Sequence, residues 1–133
     1  MFVLDRWLHL TDKRQAIFYR DQTVSSVGYR ACFIDHGWIF GGSLWELLDT
    51  PGHGLAFPNS IYAMLDMRAL TMAAVERVQA ISGSDCQLAM GDVPDSWFGP
   101  EDRECLDKLM VKLERRKSGL RSLVSRHLDF LKL

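Results

Sequence analysis

No apolar run in the 133 residues approaches eighteen, so no segment is long enough to cross a bilayer as a helix. Nor does a basic stretch lead into a short apolar one of the kind that directs export. The three cysteines, Cys32, Cys86 and Cys105, are far apart, odd in number and without the paired spacing of a zinc site. They read as reduced thiols acting as small apolar residues, which suits a soluble cytoplasmic protein. Charge of neither sign dominates. A net charge of −1 gives no general attraction to nucleic acid or to anionic membranes, and neither is expected as a partner. Neither phosphate-loop fingerprint occurs; the pair Gly41-Gly42 lacks their spacing and reads as a flexible turn.

What is present is ordinary globular material, 47% hydrophobic and 25% charged, enough for one domain and too little for two comfortable ones. The expected fold class is α+β, mainly α-helical with one β-hairpin. A single domain over 1–133 divides into a hairpin part, 1–42, and a helical part, 43–133. Ala16-Ile17-Phe18 and Tyr29-Arg30-Ala31-Cys32-Phe33-Ile34 read as strands, being rich in β-branched and aromatic residues on either side of a turn-prone segment, 21–28. Asp12 stands just before the first strand and Asp35 just after the second. An antiparallel hairpin over about 15–34 therefore carries both carboxylates at its open end, facing a common cleft where a metal-phosphate site could be built.

The order Asp12, hairpin, Asp35-His36-Gly37 matches that of protein kinases, where an Asp before a β-hairpin accepts the hydroxyl proton and an Asp-x-Gly turn after it holds Mg²⁺. With Leu4-Asp5-Arg6-Trp7 and Thr11-Asp12-Lys13-Arg14-Gln15-Ala16-Ile17-Phe18, residues 2–62 resemble the HipA-like kinase group of bacteria. The resemblance implies a kinase C-terminal lobe, with Asp12 as catalytic base, Asp35 as metal ligand, and Gln15 and Gly37 beside the nucleotide. Mg²⁺ and ATP are the implied cofactors, neither expected to be held tightly by this chain alone. Two departures stand out. The kinase pattern has a metal-binding Asn five residues after the catalytic Asp, and that position is Ile17, leaving Gln15 as the nearest amide. Only eleven residues precede Asp12, with no Gly-rich loop and no strand lysine among them.

Around the hairpin the period is helical. Val3, Trp7 and Leu10 form one stripe of a short helix over 2–10, with Leu4 and Leu8 beside it, and its abrupt, uncapped start points to sequence lost upstream. His9, at the end of that helix, is read as a hydrogen-bonded or exposed residue. Ser43 and Glu46 have capping-box spacing for a turn or two of helix ended by Thr50-Pro51-Gly52. Residues 50–60 form a loop in which His53 is exposed, and Asn59 or Ser60 caps a short helix through Ile61, Tyr62, Met64 and Leu65. Leu70, Ala73, Ala74, Val78 and Ile81 predict an amphipathic helix over about 68–81, stopped at Ser82-Gly83. Trp97 and Phe98 are aromatic anchors in the following turn, and Pro100 suits a helix's first position.

From Leu106 to Leu131 a near-heptad rhythm continues across Gly119, allowing one long helix or two, with the stripe packed on the chain's own core. The basic residues Lys112, Arg115, Arg116, Lys117, Arg121 and Arg126 read as a solvated face, since Glu114 and Asp129 interrupt them and no aromatics are interleaved.

Three functions compete: a phosphotransferase lobe completed by a nucleotide-binding lobe, a catalytically silent kinase-like module that binds protein, and an unrelated α+β binding domain. An uncovered lobe surface would expose Trp7, Trp38, Ile39, Phe40 and Trp45. The expected partners are accordingly a second copy in a homodimer, a missing N-terminal lobe, or another protein.

Overall fold

The computed structural model describes residues 1–21, 28–48, 53–54 and 64–132. Helix α1 (Phe2–Trp7) leads into a hairpin of β1 (Gln15–Asp21) and β2 (Gly28–Ile34). A tight 3₁₀ segment, Ile39–Leu44, follows, and then the helices α2 (Met67–Gln79), α3 (Gly83–Gly91), α4 (Asp102–Ser118) and α5 (Leu120–Leu131). The class is α+β and mostly helical, with a two-stranded antiparallel sheet among the described residues. None of the described helices is long and apolar enough to cross a membrane. The hairpin turn at 22–27, the stop at Thr50-Pro51-Gly52 and the cap at Asn59 or Ser60 with Ile61 and Tyr62 lie outside the described residues.

The core belongs to the helices. Val3 and Trp7 of α1 meet Met67, Val75 and Val78 of α2, Leu109 and Leu113 of α4, and Leu120, Leu123, Val124 and Leu128 of α5. The α1 stripe is buried as its spacing predicts, Leu10 included, and Trp7 anchors it further by donating its indole N–H to Leu113 O at 2.9 Å. The heptad rhythm also packs inward, as two helices that break at Gly119. Hairpin residues contribute nothing to this cluster: Ile17, Phe18, Tyr19 and Tyr29 stay at least half exposed. The helices thus pack on one another rather than against one side of the hairpin.

Several local expectations are corrected. In α2 the buried face is Met67, Thr71, Val75 and Val78, so Leu70 and Ala73 face solvent. Thr71 is admitted because its hydroxyl donates to Met67 O at 2.6 Å, which satisfies the polar group. Ser82 caps α3 rather than only stopping α2: it accepts from Asp85 N at 3.1 Å while Asp85 accepts from Ser82 N at 2.8 Å. Those bonds, led by the Ser82 backbone N–H, hold the Asp85 carboxyl below its ordinary range. Helix α4 begins two residues after Pro100, with Asp102 accepting from Gly99 N at 2.6 Å. Trp97 is 75% exposed and anchors nothing here, whereas Phe98 is half-buried under the Arg103 guanidinium.

Ser43 and Glu46 form no capping box. Phe40, Gly41 and Trp45 adopt positive φ, which winds 39–45 into left-handed turns instead of opening a helix. Tertiary bonds select that path. Glu46 O is bonded by His9 Nδ1 at 2.9 Å, Trp45 O by Lys112 Nζ at 3.3 Å and Leu47 O by Arg116 Nη1 at 3.1 Å. At Gly41 a Cβ would lie 2.0 Å from Glu46 O, so only glycine admits this closure. His53 is exposed as expected, and Gly54 beside it is buried against Arg6 and Leu10 O, where a Cβ would clash.

Candidate functional site

The strands pair in register from Asp21↔Gly28 down to Gln15↔Ile34, which places the open end of the hairpin where the sequence motif requires it. Past the last rung the two chain segments stay together: Thr11 N and Oγ1 both donate to Trp38 O, at 3.1 and 3.3 Å. Asp12 and Asp35-His36-Gly37 are bracketed between that cross-link and the Gln15↔Ile34 rung. The hairpin thus brings the four sequence-derived site residues, Asp12, Gln15, Asp35 and Gly37, to one end of one ribbon.

Their local bonds differ. Asp12 is exposed, and its Oδ1 accepts the Lys13 N–H at 2.6 Å, a turn-forming bond. Asp35 is exposed in a left-handed conformation, φ 57°, and its Oδ2 accepts the Gln15 Nε2–H at 2.6 Å. Since a carboxylate can only accept, Gln15 presents its NH₂ to Asp35 and its carbonyl elsewhere. Gly37 lies beside the same carboxylate; a Cβ there would meet only Asp35 Oδ1, at 3.9 Å, which is ordinary contact. Ile17 projects on the same face of β1 as Gln15, two residues along, and is 54% exposed. An apolar group therefore stands where the kinase pattern has a ligand amide.

Beneath this turn lies a polar anchor that sequence reading missed. Asp5 on α1 and Arg14 just before β1 form a buried ion pair, Arg14 Nε donating to Asp5 Oδ2 at 3.2 Å and Nη2 to Oδ1. The same guanidinium reaches His36 Nδ1 at 2.8 Å and Ile34 O at 3.5 Å. His36 Nε2 in turn faces Phe33 O at 3.2 Å. The Asp-x-Gly turn is thereby tied to the helical body by a charged side chain, with both partners 4% exposed or less. Nothing in the sequence pairs residue 5 with residue 14, because each sits in a locally polar context and the contact is tertiary. His9, three residues before Asp12, serves Glu46 O instead of the turn.

Carboxylate oxygens are the donor type that Mg²⁺ takes from proteins, usually one or two of them completed by water and substrate phosphates. Asp12 and Asp35 fit that donor set, with the Gln15 carbonyl as a third oxygen. Among the described residues no group of three or more His, Cys, Asp or Glu forms a ready-made metal cage.

The aromatic set expected near this end divides. Trp7 is internal, and Phe40 and Trp45 are half-buried and meet edge to face with ring centres 6.4 Å apart. These three rings line an apolar cavity of about 480 Å³ that α3, α4 and the turn between them complete with Met90, Phe98, Leu106 and Met110. Only Trp38, 54% exposed, remains an open aromatic surface beside Asp35. The reason is the left-handed turn at 40–45, which folds Phe40 and Trp45 back onto the helices. Compared with known proteins, the chain matches no family model, no curated sequence and no solved structure.

Proposed function

We propose that this chain is a HipA-like kinase C-lobe module, inert toward phosphoryl transfer by itself and competent when a nucleotide-covering lobe is supplied. In that reading Asp12 accepts the proton of the acceptor hydroxyl, Asp35 holds Mg²⁺, and Gln15 and Gly37 adjoin the nucleotide. Mg²⁺ would supply charge neutralisation on the transferring phosphoryl group. The chain's own contribution is positioning: the hairpin sets the order of the two acids, and the Asp5–Arg14 pair holds the Asp35 turn against α1. The observation that supports this reading is the bracketing of Asp12 and Asp35 between the last rung of the ladder and the Thr11–Trp38 bond. Phosphoryl transfer is almost wholly positioning and charge stabilisation, so half of the clamp achieves little. Trp38 and the adjoining Ile39 make the face on which the second lobe, or a second copy of this chain in a homodimer, would seat.

Thermal-shift titration with ATP and Mg²⁺ tests it. Stabilisation that needs Mg²⁺ and disappears in Asp35→Asn is expected, reaching about 2.7 kcal/mol only where nucleotide stands at 100 times the dissociation constant. Asparagine keeps the left-handed turn that Asp35 occupies, so the variant removes charge without removing conformation. An equal shift in Asp35→Asn would overturn the metal role.

One observation favours a second reading, an unrelated α+β binding domain. Asp12 bonding its own turn N–H, and Asp35 at positive φ, are both what turn-forming aspartates do. Under that reading Asp12→Asn and Asp35→Asn leave every ligand response unchanged.

A further inference from the structure

Beside the core stands a space that the chain does not fill, the cavity of about 480 Å³ walled by α1, the turn at 40–45, α3, α4 and the turn between those two helices. Protein interiors are ordinarily packed to the density of organic crystals, with few voids larger than a water molecule. We propose that this cavity is the binding site of a compact, uncharged aromatic molecule, distinct from the turn that carries Asp12 and Asp35.

Helix α3 leaves the space open. It buries none of its residues fully, yet its Cys86 and Met90 line the cavity and are half-buried there. Leu106 and Met110 of α4 and Phe98 of the intervening turn are half-buried on the same space. The remaining wall is held by hydrogen bonds. Phe40 N donates to Leu8 O at 2.7 Å, Trp45 O accepts from Lys112 Nζ at 3.3 Å, and the Trp7 indole N–H is spent on Leu113 O. One side is thus a fixed set of rings, and the other carries two methionines, whose unbranched side chains adapt to what they meet.

The lining selects the ligand class. Water is a poor occupant, because a buried water needs several polar partners and this wall is apolar. Asp85 is the one charged side chain among the described lining residues, and it sits exposed with its carboxylate bonded to Ser82 N and Oγ at 2.8 and 2.7 Å. An anionic ligand would have to put its charge in apolar space or beside that acid, which is unfavourable either way. A cation gains little from so exposed a partner. The body that remains is uncharged. Phe40 and Trp45 offer ring edges and faces, and Met90 and Met110 offer thioethers, both of which favour an aromatic guest over a merely aliphatic one. The volume falls within the ~300–1,000 Å³ of small-molecule sites. With separate segments of the chain walling it, the space suits a compact molecule rather than the length of a partner helix.

Titration of the chain, labelled with carbon-13 at its methionine methyls, with naphthalene tests the site by NMR. The Met90 and Met110 signals should shift together and saturate at one naphthalene per chain, while Met67, buried in the core away from the cavity, stays in place. Cys86→Phe grows a ring into the space and should weaken binding roughly tenfold or more, with the thermal midpoint unchanged or raised. Ala89→Phe, at an exposed position on the rim, is the second variant should the first fail to fold, and it should weaken binding in the same sense. 1-Naphthoate should bind roughly tenfold more weakly than naphthalene, since it brings a charge. Asp35→Asn should change nothing, which separates this cavity from the metal-dependent nucleotide response of the hairpin. Absence of saturable shifts, or undiminished binding by the folded Phe variants, would overturn the proposal. So would naphthoate binding as tightly as naphthalene. Met90 and Met110 signals that move with protein concentration alone, and resist naphthalene, would overturn it too by showing a second copy of the chain over the cavity.

Discussion

In the helical body Leu120, Val124 and Leu128 keep 1% or less of their surface exposed, whereas in the hairpin Ile17, Phe18 and Tyr19 keep half or more. Both regions are rich in large apolar side chains, and both form regular hydrogen-bonded structure. The difference lies in what each face meets. A helical stripe at 3.6-residue spacing puts all its apolar groups on one side, where a neighbouring helix covers them. A strand sends successive side chains to opposite sides, and a two-stranded ribbon has nothing stacked on either. Its stability rests on cross-strand pairs such as Ile17↔Cys32 and Phe18↔Ala31, and a hairpin of this kind is marginal unless tied to something larger. Here it is tied by Arg14.

The sharpest way to break the comparison is therefore at the tie. Asp5→Ala leaves the Arg14 charge buried without its carboxylate and should lower stability by about 3–5 kcal/mol in urea unfolding. A loss below 1 kcal/mol would mean that hairpin and body are energetically independent. Next comes the body itself. Leu128→Ala, 1% exposed within the helical core, should lower stability by about 3 kcal/mol in the same assay. Ser82→Ala should lower it by about 1 kcal/mol by removing the α3 cap.

Acid should act at that same cap. Because the Asp85 carboxyl is held below its ordinary range in the folded chain, the unfolded chain takes up its proton first as pH falls. The capping contribution is thus fully present above the ordinary carboxylate range and is lost as pH falls through it to the folded value. An NMR titration of the Asp85 side-chain carbon, run beside thermal melts on wild type and Ser82→Ala, reads both halves of that linkage. The smallest effects belong to the ribbon: Phe18→Ala and Tyr29→Ala should each change stability by no more than about 0.5 kcal/mol. If either matched Leu128→Ala, the ribbon would be covered in solution, and sedimentation would then show an assembly larger than a monomer.

Which features could be read from the chain follows the same division. Hairpin, register end and the α1, α4 and α5 stripes were legible because each depends on local period. The order Asp12, hairpin, Asp35 was legible for that reason too. The failures are tertiary. Ser43 and Glu46 carry a valid local cap, but His9, Lys112 and Arg116 hold the carbonyls of the following residues and the chain turns left-handed. In α2, Leu70 and Ala73 looked like core until Thr71 paired its hydroxyl with the backbone and took the inward position. The basic residues near Gly119 looked like one face because their charges are alike; only the fold turns Lys117 inward to Ile81 O and Glu114 and sets Arg121 against Glu76. The pairing of Asp5 with Arg14 was not legible, since a buried pair leaves no trace in sequence spacing.

The contact between Arg14 and His36 also dictates a proton's address. A guanidinium can only donate, so His36 Nδ1 must be the acceptor at 2.8 Å, and the ring hydrogen resides on Nε2, aimed at Phe33 O. Both ring nitrogens are then engaged. An imidazole adjoining an acid is the usual proton relay in enzymes, and this one is immobilised against that role. Under the kinase-like reading, a proton leaving a hydroxyl at this turn would pass to a carboxylate. Nitrogen-15 shifts of the His36 ring, distinct for the two tautomers, would display the assignment directly.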